Sequence, residues 1–563
     1  MPAMPSSQPS IPAFRHWPMV LAAALLLMTC VAYLPVIVHG GYIWDDPRWV
    51  TANPLLRTGQ GLWRVWFDVG SHPQYYPLVL SALWVEFHLW GLDPLGYHLV
   101  NVVLHATSAM LLWRLLRRLD VPGAWCAAAL FALHPVHVES VAWVTELKNV
   151  LSGLFYFLAF TVMVDWFGLG DRRGGGAWRW GLGLVLSICA VLSKTVTCTF
   201  PAAVLLVVWW QRGRLVWRDV LAMGPFLVFG VTLGMITVRL EKALGALGPE
   251  YDLSFFDRVC VAGRALWFYV GKLLWPVELI FTYPRWEIDA ARPEQWLWPV
   301  AAVLVMLGLF VFRARLGRGP VTAVLFFAGT LFPALGFFNV YPMRFSFVAD
   351  HFQYLASVGM ITLFTAGVAR WCQAAGAPVA KVGLVVCLVV LVLFGVKTWS
   401  LGKDYQSAET IFRSVVAHNP GSVMARRNLG IELANRGADR EAKEQFEKAV
   451  ELLPDGAGSI YNLGVVCLRL GLVDEAIGHY RRALALDPGN AEYWNDYGVA
   501  LAMAGRLPEA AEAFASALDR RPGYTEAAEN LRQARWFLAH PDVTVRTGEP
   551  PATPEGPPAP GAQ

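Results

Sequence analysis

Two adjacent carboxylates, Asp45 and Asp46, follow the first long apolar run of the chain, Trp17 to Val38, in the stretch Gly41-Tyr42-Ile43-Trp44-Asp45-Asp46-Pro47. A carboxylate at the middle of a bilayer costs about 2.5–3.5 kcal/mol even on the lenient insertion scale. The pair is therefore expected at the membrane interface, where a lipid-borne substrate can meet a water-borne one. Read locally, the same residues also make a polar turn that ends a helix, with Pro47 as its punctuation. Further polar groups recur in turns that the distribution of Arg and Lys assigns to the same side: His72, Glu86, His105, His134, His137, Glu139, Glu146, Lys148, Lys194, Arg239, Arg344, Asp350 and His351. A carboxylate beside cations suits group transfer from a lipid phosphate. The carboxylate accepts the proton of an incoming hydroxyl, and Lys or Arg neutralises charge that builds on the departing phosphate.

On this reading Asp46 is the favoured base, with Asp45 as its partner or as the base in its stead. His134, His137 and Glu139 are candidate substrate contacts, with a polar loop capping the next helix as the plainer alternative. Lys194, Arg239 and Arg344 are candidate phosphate contacts, against interface cations that merely snorkel to water. Asp350 and His351 are candidate contacts as well, against a simple helix N-terminus. No residue is assigned as a metal ligand. No organic cofactor is expected, and the identity of any cofactor stays open, with room left for a divalent metal. The sequence holds no P-loop, GxSxG or HExxH motif, so nucleotide hydrolysis, serine hydrolysis and zinc proteolysis have no motif support.

The elements that must position these groups are apolar helices. Of 563 residues, 56% are hydrophobic and 16% charged, against about 25% charged in soluble domains, which marks a polytopic membrane protein with a soluble portion. The net charge of +4 comes without a basic cluster beyond short arginine groups between apolar runs, so nucleic-acid binding has no support. The 8 Cys show no CxxC or zinc spacing, which argues against disulfides and structural zinc. The first apolar run is too long for a usual signal-peptide core and predicts a retained span, not a cleaved signal. Spans are expected at 17–38, 95–113, 122–134, 149–167, 178–193, 196–210, 220–238, 297–312, 320–338, 352–371 and 379–396, about eleven crossings by apolar length and Arg placement. Residues 76–90 and 255–275 read as interfacial or re-entrant. Arg114, Arg117, Arg118, Arg212, Arg214, Arg218, Arg313, Arg315 and Arg318 mark the cytoplasmic side.

After Lys397 the composition turns soluble. Pro420, Pro454, Pro488 and Pro522 recur at a 34-residue period, as do Gly430, Gly464 and Gly498, then Ala442, Ala476 and Ala510, then Phe446, Tyr480 and Phe514. That is the tetratricopeptide-repeat period and pattern. The chain thus divides into a cytoplasmic N-terminus (1–16), a polytopic membrane domain (17–397), a repeat domain (398–540: a half repeat, three full repeats and a capping helix) and a disordered Pro-rich tail (541–563).

The succession Trp44-Asp45-Asp46, Asn53-Pro54, Ser71-His72, Tyr76-Pro77-Leu78, Gly96-Tyr97-His98-Leu99-Val100-Asn101, Leu104-His105 and His134-Pro135-Val136-His137-Val138-Glu139, with repeats at the end, resembles the transmembrane and tetratricopeptide-repeat O-mannosyltransferases and their bacterial relatives of the GT-C class. Where relatives often read Lys-Glu and Ala-Asp-Arg-Tyr, this chain reads Lys194-Thr195 and Ala349-Asp350-His351-Phe352. The resemblance implies an all-α fold: a GT-C-type helical membrane domain followed by a tetratricopeptide-repeat α-solenoid. It also implies inverting transfer of a sugar, mannose in characterised relatives, from a polyprenyl-phosphate donor to a hydroxyl on the outer side, with the catalytic carboxylate in the first outer loop. Expected partners are that donor, membrane lipid and a protein or peptide acceptor held by the repeats. The expected location is a multi-pass membrane protein, in a bacterial inner membrane in preference to an endoplasmic reticulum membrane, with the repeats on the non-cytoplasmic side. The competing readings are a non-enzymatic membrane-anchored scaffold for envelope assembly and a lipid-linked polysaccharide polymerase or ligase.

Overall fold

A computed structural model describes residues 17–170, 174–243 and 248–540; the expected N-terminal segment 1–16 and Pro-rich tail 541–563 lie outside them. Among the described residues the fold is all-helical and contains no strand. Five helices are long and apolar enough to cross a membrane: Pro94–Arg118, Val144–Trp166, Gly224–Ala243, Pro293–Val311 and Ala377–Gln406. Shorter apolar helices, among them Pro18–Ala32, Ala124–Leu133 and Ala177–Ser193, accompany them. The protein is a multi-pass membrane protein.

The helices are short because polar turns interrupt them. The first apolar run breaks at Tyr33, and a second helix, Leu34–His39, starts with Pro35 in its first turn. Ala124–Leu133 stops at His134, and Pro135 opens a 3-10 turn, Pro135–His137. Ala177–Ser193 stops at Lys194, before a 3-10 turn Thr195–Thr199 and the helix Phe200–Arg212. Non-helical backbone in an apolar bundle needs protein or a cavity around it. These breaks are accordingly buried, and they carry the polar side chains. The segment 255–275 forms the helix Phe255–Leu274, started by a capping box between Ser254 and Asp257.

One end of the bundle collects arginines. Arg118 Nη1 lies 3.1 Å from Asp165 Oδ2, and Arg212 Nη1 lies 3.1 Å from Asp219 Oδ1. Gln211 donates to Leu119 O, and Arg318 donates to Trp209 O. The helix Leu147–Trp166 has 20 residues and runs from the acidic turns to this arginine end. At 1.5 Å per residue it covers about 30 Å, the hydrocarbon thickness of a bilayer.

The chain divides into two compact units at Asn419–Pro420, later than the composition change at Lys397. The expected half repeat, now the helix Ala408–His418, therefore belongs to the first unit. The apolar helix Ala377–Gly402 runs through the compositional boundary, and Asn419 Nδ2 donates to Thr282 O. In the second unit the helix pairs Val423–Asn435 with Asp439–Leu452, Ala457–Arg469 with Val473–Leu486, and Ala491–Met503 with Leu507–Arg520 make three full repeats, followed by Thr525–Ala539. A Cβ on Gly430 would sit 2.6 Å from the Phe446 ring, and one on Gly498 2.6 Å from the Phe514 ring. The glycine is thus required by close helix approach at the aromatic. Gly430→Ala should destabilise by about 1–3 kcal/mol through overpacking. A thermal melt of the full chain checks this, and an unchanged midpoint would contradict it.

Candidate active site

Trp44 has a φ of +47°, a left-handed conformation in which a bulky residue is a strained outlier. Its ring is held edge-on against Phe281 and Phe345, with centroids 5.9 Å away in both cases. The twist sends the two following carboxylates different ways. Asp46 is fully buried. Its Oδ2 accepts from the Ile43 amide at 2.7 Å and its Oδ1 from the Thr145 amide at 2.9 Å. Burial, and then the charge of Asp45, push its carboxyl well above the usual range. Asp45 is only partly buried. Its Oδ1 accepts from Thr145 Oγ1 at 2.9 Å and its Oδ2 from Trp49 Nε1 at 3.0 Å. Burial raises its carboxyl too, while the nearby Lys148 ammonium draws it down. Asp46 is thus engaged by the main chain on both oxygens, and Asp45 by side chains that can move.

Residue 146 follows the threonine that holds both aspartates. Glu146 is fully buried between two ammonium groups: Lys148 Nζ at 2.8 Å from Oε1 and Lys194 Nζ at 3.0 Å from Oε2. Lys148 also lies 5.5 Å from the centre of the Trp49 ring and 5.3 Å from that of Trp143. Burial lowers the Lys194 ammonium to about 8 against the pull of Glu146. Asn149 Nδ2 donates to Glu146 and to His351 O. His351 in turn meets Glu139 twice, through its amide and through Nδ1, each at 2.9 Å. Asp350 accepts from Tyr283 Oη at 3.1 Å on both oxygens, and burial, followed by Glu139, pushes it well up. Three distant segments therefore converge on the turn at 143–149: the first loop, Lys194, and the 350–351 turn.

The other expected site residues do not converge there. His134 donates to Leu273 O at 3.0 Å and caps the Val136 amide. His137 Nδ1 donates to Phe131 O at 2.8 Å, and its Nε2 lies 3.0 Å from Ser357 Oγ. Both rings thus pin helix ends. Arg344 turns outward to Glu250 at 3.0 Å, with about half of its side chain exposed. Arg239 is exposed near the end of the helix Gly224–Ala243.

Of the other side chains that gather the site, Glu146 and Lys148 stand in the sequence among the polar groups of that side without an assigned role, and Thr145 and Asn149 are not among those groups. Glu146 and Lys148 announce themselves, as an acid and a cation at the head of an apolar run. Thr145 gives no signal at all.

A tetratricopeptide-repeat family model matches residues 439–491 and 461–525. Along most of its length the chain is similar to protein O-mannosyl-transferase TMTC1 of Homo sapiens, at 26% identity over 504 residues, covering 78% of this chain and 56% of that protein. Tmtc1 of Drosophila melanogaster is 26% identical, covering 77% of this chain and 62% of its own. The chain is similar to the transmembrane and tetratricopeptide-repeat O-mannosyltransferases. It spans about 56% to 62% of the length of these O-mannosyltransferase relatives. Among solved structures, the crystal structure of MamA protein matches 24% of this chain and 74% of its own at 24% identity, with a TM-score of 0.23.

Proposed function

We propose that this protein is an inverting membrane glycosyltransferase that moves mannose from a polyprenyl phosphate to a hydroxyl of a protein. The supporting observation is the partly buried Asp45 beside a carboxylate, Glu146, that is shared by two lysines. Asp45 takes the proton from the acceptor hydroxyl, and the hydroxyl oxygen attacks C1 of the sugar from the face opposite the phosphate. The C1–oxygen bond to phosphate breaks, and polyprenyl phosphate leaves with the bonding pair. The donor is a phosphodiester with one negative charge, and the leaving group gains another as the bond breaks. The Lys148–Glu146–Lys194 trio carries a net single positive charge and stands ready to meet that change. The backbone-bound Asp46 fixes the loop, Glu139 and His351 form one wall, and the repeats present an extended acceptor chain along their concave side. By the placement of arginines the arginine-rich ends are cytoplasmic, which puts the acids on the opposite, non-cytoplasmic face.

Incubating the purified protein with radiolabelled polyprenyl-phosphate-mannose and candidate acceptor proteins tests the reading; label should enter protein. Label entering only a glycan would replace it with a polymerase or ligase.

The pH profile has a specific expected form. Lys194 titrates at about 8, so its charge is present below that value and lost as pH rises through it. Donor affinity should fall above about pH 8, and Lys194→Arg should flatten that limb, because arginine stays charged. A parent profile flat to pH 10 would detach Lys194 from the phosphate.

A further inference from the structure

In the second repeat, three side chains of classes that bind metals face one another across a helix pair. Cys467 lies on the helix Ala457–Arg469, and Glu475 and His479 lie one turn apart on Val473–Leu486. One ligand atom from each falls within 4.8 Å of the others, and Cys467 Sγ is 3.9 Å from Glu475 Oε2. Among the described residues this is the one group of three or more His, Cys, Asp or Glu gathered this tightly. We propose that Cys467, Glu475 and His479 bind a divalent zinc-like cation, with water as the fourth ligand.

The donor set supports this choice. Thiolate and imidazole select zinc over calcium or magnesium, and the carboxylate completes three protein ligands of the kind seen in open zinc sites. Ligand atoms around tetrahedral zinc sit about 3.5 Å apart, so the three must draw in by about an ångström, within reach of side-chain rotation. Cys467 is buried while Glu475 is exposed and His479 intermediate, which gives the ion a path from solvent.

A cation already occupies the neighbourhood. Lys443 Nζ lies 3.2 Å from Glu475 Oε2 and 3.1 Å from Glu447 Oε1. When the metal takes Glu475, the lysine keeps Glu447 and is not stranded. Arg482 is the other cation that acts on His479, with Glu447 and Glu475 opposing it. Binding converts the Cys467 thiol to thiolate and releases its proton to the buffer. Because a proton is released on binding, affinity rises with pH. The bound ion would tie the two helices of the repeat together.

The test uses untagged full-length protein in detergent, stripped with chelator and titrated with cobalt(II). One equivalent should produce the visible absorption of tetrahedral cobalt and a sulfur-to-cobalt charge-transfer band, both bleached by zinc(II). Cys467→Ser should remove the charge-transfer band. His479→Gln should keep the fold and weaken cobalt binding by at least about tenfold. Lys443→Met should bind at least as tightly as the parent. A parent without the bands, or bands that persist in Cys467→Ser and His479→Gln, would overturn the site. Because the readout is metal binding and not transfer, it is independent of the glycosyltransferase proposal.

Discussion

Replacing Asp45 by Asn should lower sugar transfer by about 10²–10⁴-fold, the usual contribution of a positioned general base, with little change in thermal stability. Both of its oxygens accept from side chains, Thr145 Oγ1 and Trp49 Nε1, which an amide oxygen can in part still satisfy. Asp46→Asn should behave in the opposite way. Its two oxygens receive the amides of Ile43 and Thr145, and an Asn must turn its own NH₂ toward one of them. An unsatisfied buried donor costs about 1–3 kcal/mol, so the variant should melt lower and any lost activity should track lost folded protein. Measuring transfer per folded molecule for both variants separates the roles. A fully active Asp45→Asn beside a stable, inactive Asp46→Asn would return the base to Asp46. On the acid side, the raised Asp45 carboxyl means that the working anion is lost, as pH falls, above the ordinary carboxylate range.

Glu146→Gln should be the most damaging single substitution for the fold. The carboxylate has no exposed surface, and two ammonium groups lie within 3.0 Å of it. Removing its charge leaves two buried like charges facing a neutral amide. Breaking a buried pair costs about 3–5 kcal/mol, a large part of the stability of any domain. The expected result is a sharp drop in detergent-stable yield and melting temperature. Glu146→Gln combined with Lys194→Met should recover part of the stability and none of the transfer, because one repulsion is gone and so is a phosphate partner. A Glu146→Gln protein as stable as the parent would show that the lysines reach water, and the trio would lose its proposed role.

The architecture was legible because it rests on periodicity. Apolar runs interrupted by Pro and charge announced the helices, and the 34-residue recurrence announced the repeats. That Asp45 and Asp46 share one loop directly after an apolar run was legible as well. Which acid faces the open side was not, because adjacent residues exchange roles with one backbone angle, and the Trp44 conformation is invisible in composition. His134 and His137 read as substrate contacts, with capping of the next helix as the plainer alternative; each ring spends nitrogens on helix ends, and spacing does not encode the partners it reaches across the fold. Lys194 could be placed in the right turn, but its partner Glu146 lies 48 residues away. Compactness and composition change at different points along the chain, the first at Asn419–Pro420 and the second at Lys397.

The left-handed tryptophan has one more implication. A loop that could relax into an ordinary extended strand would swing its acids freely and settle only when a sugar lipid arrived. Here the indole is wedged between Phe281 and Phe345 while its main chain stays contorted, so the hinge is locked before any visitor enters. Trp44→Gly, which relieves the contortion and removes the wedge together, would turn a fixed loop into a slack one.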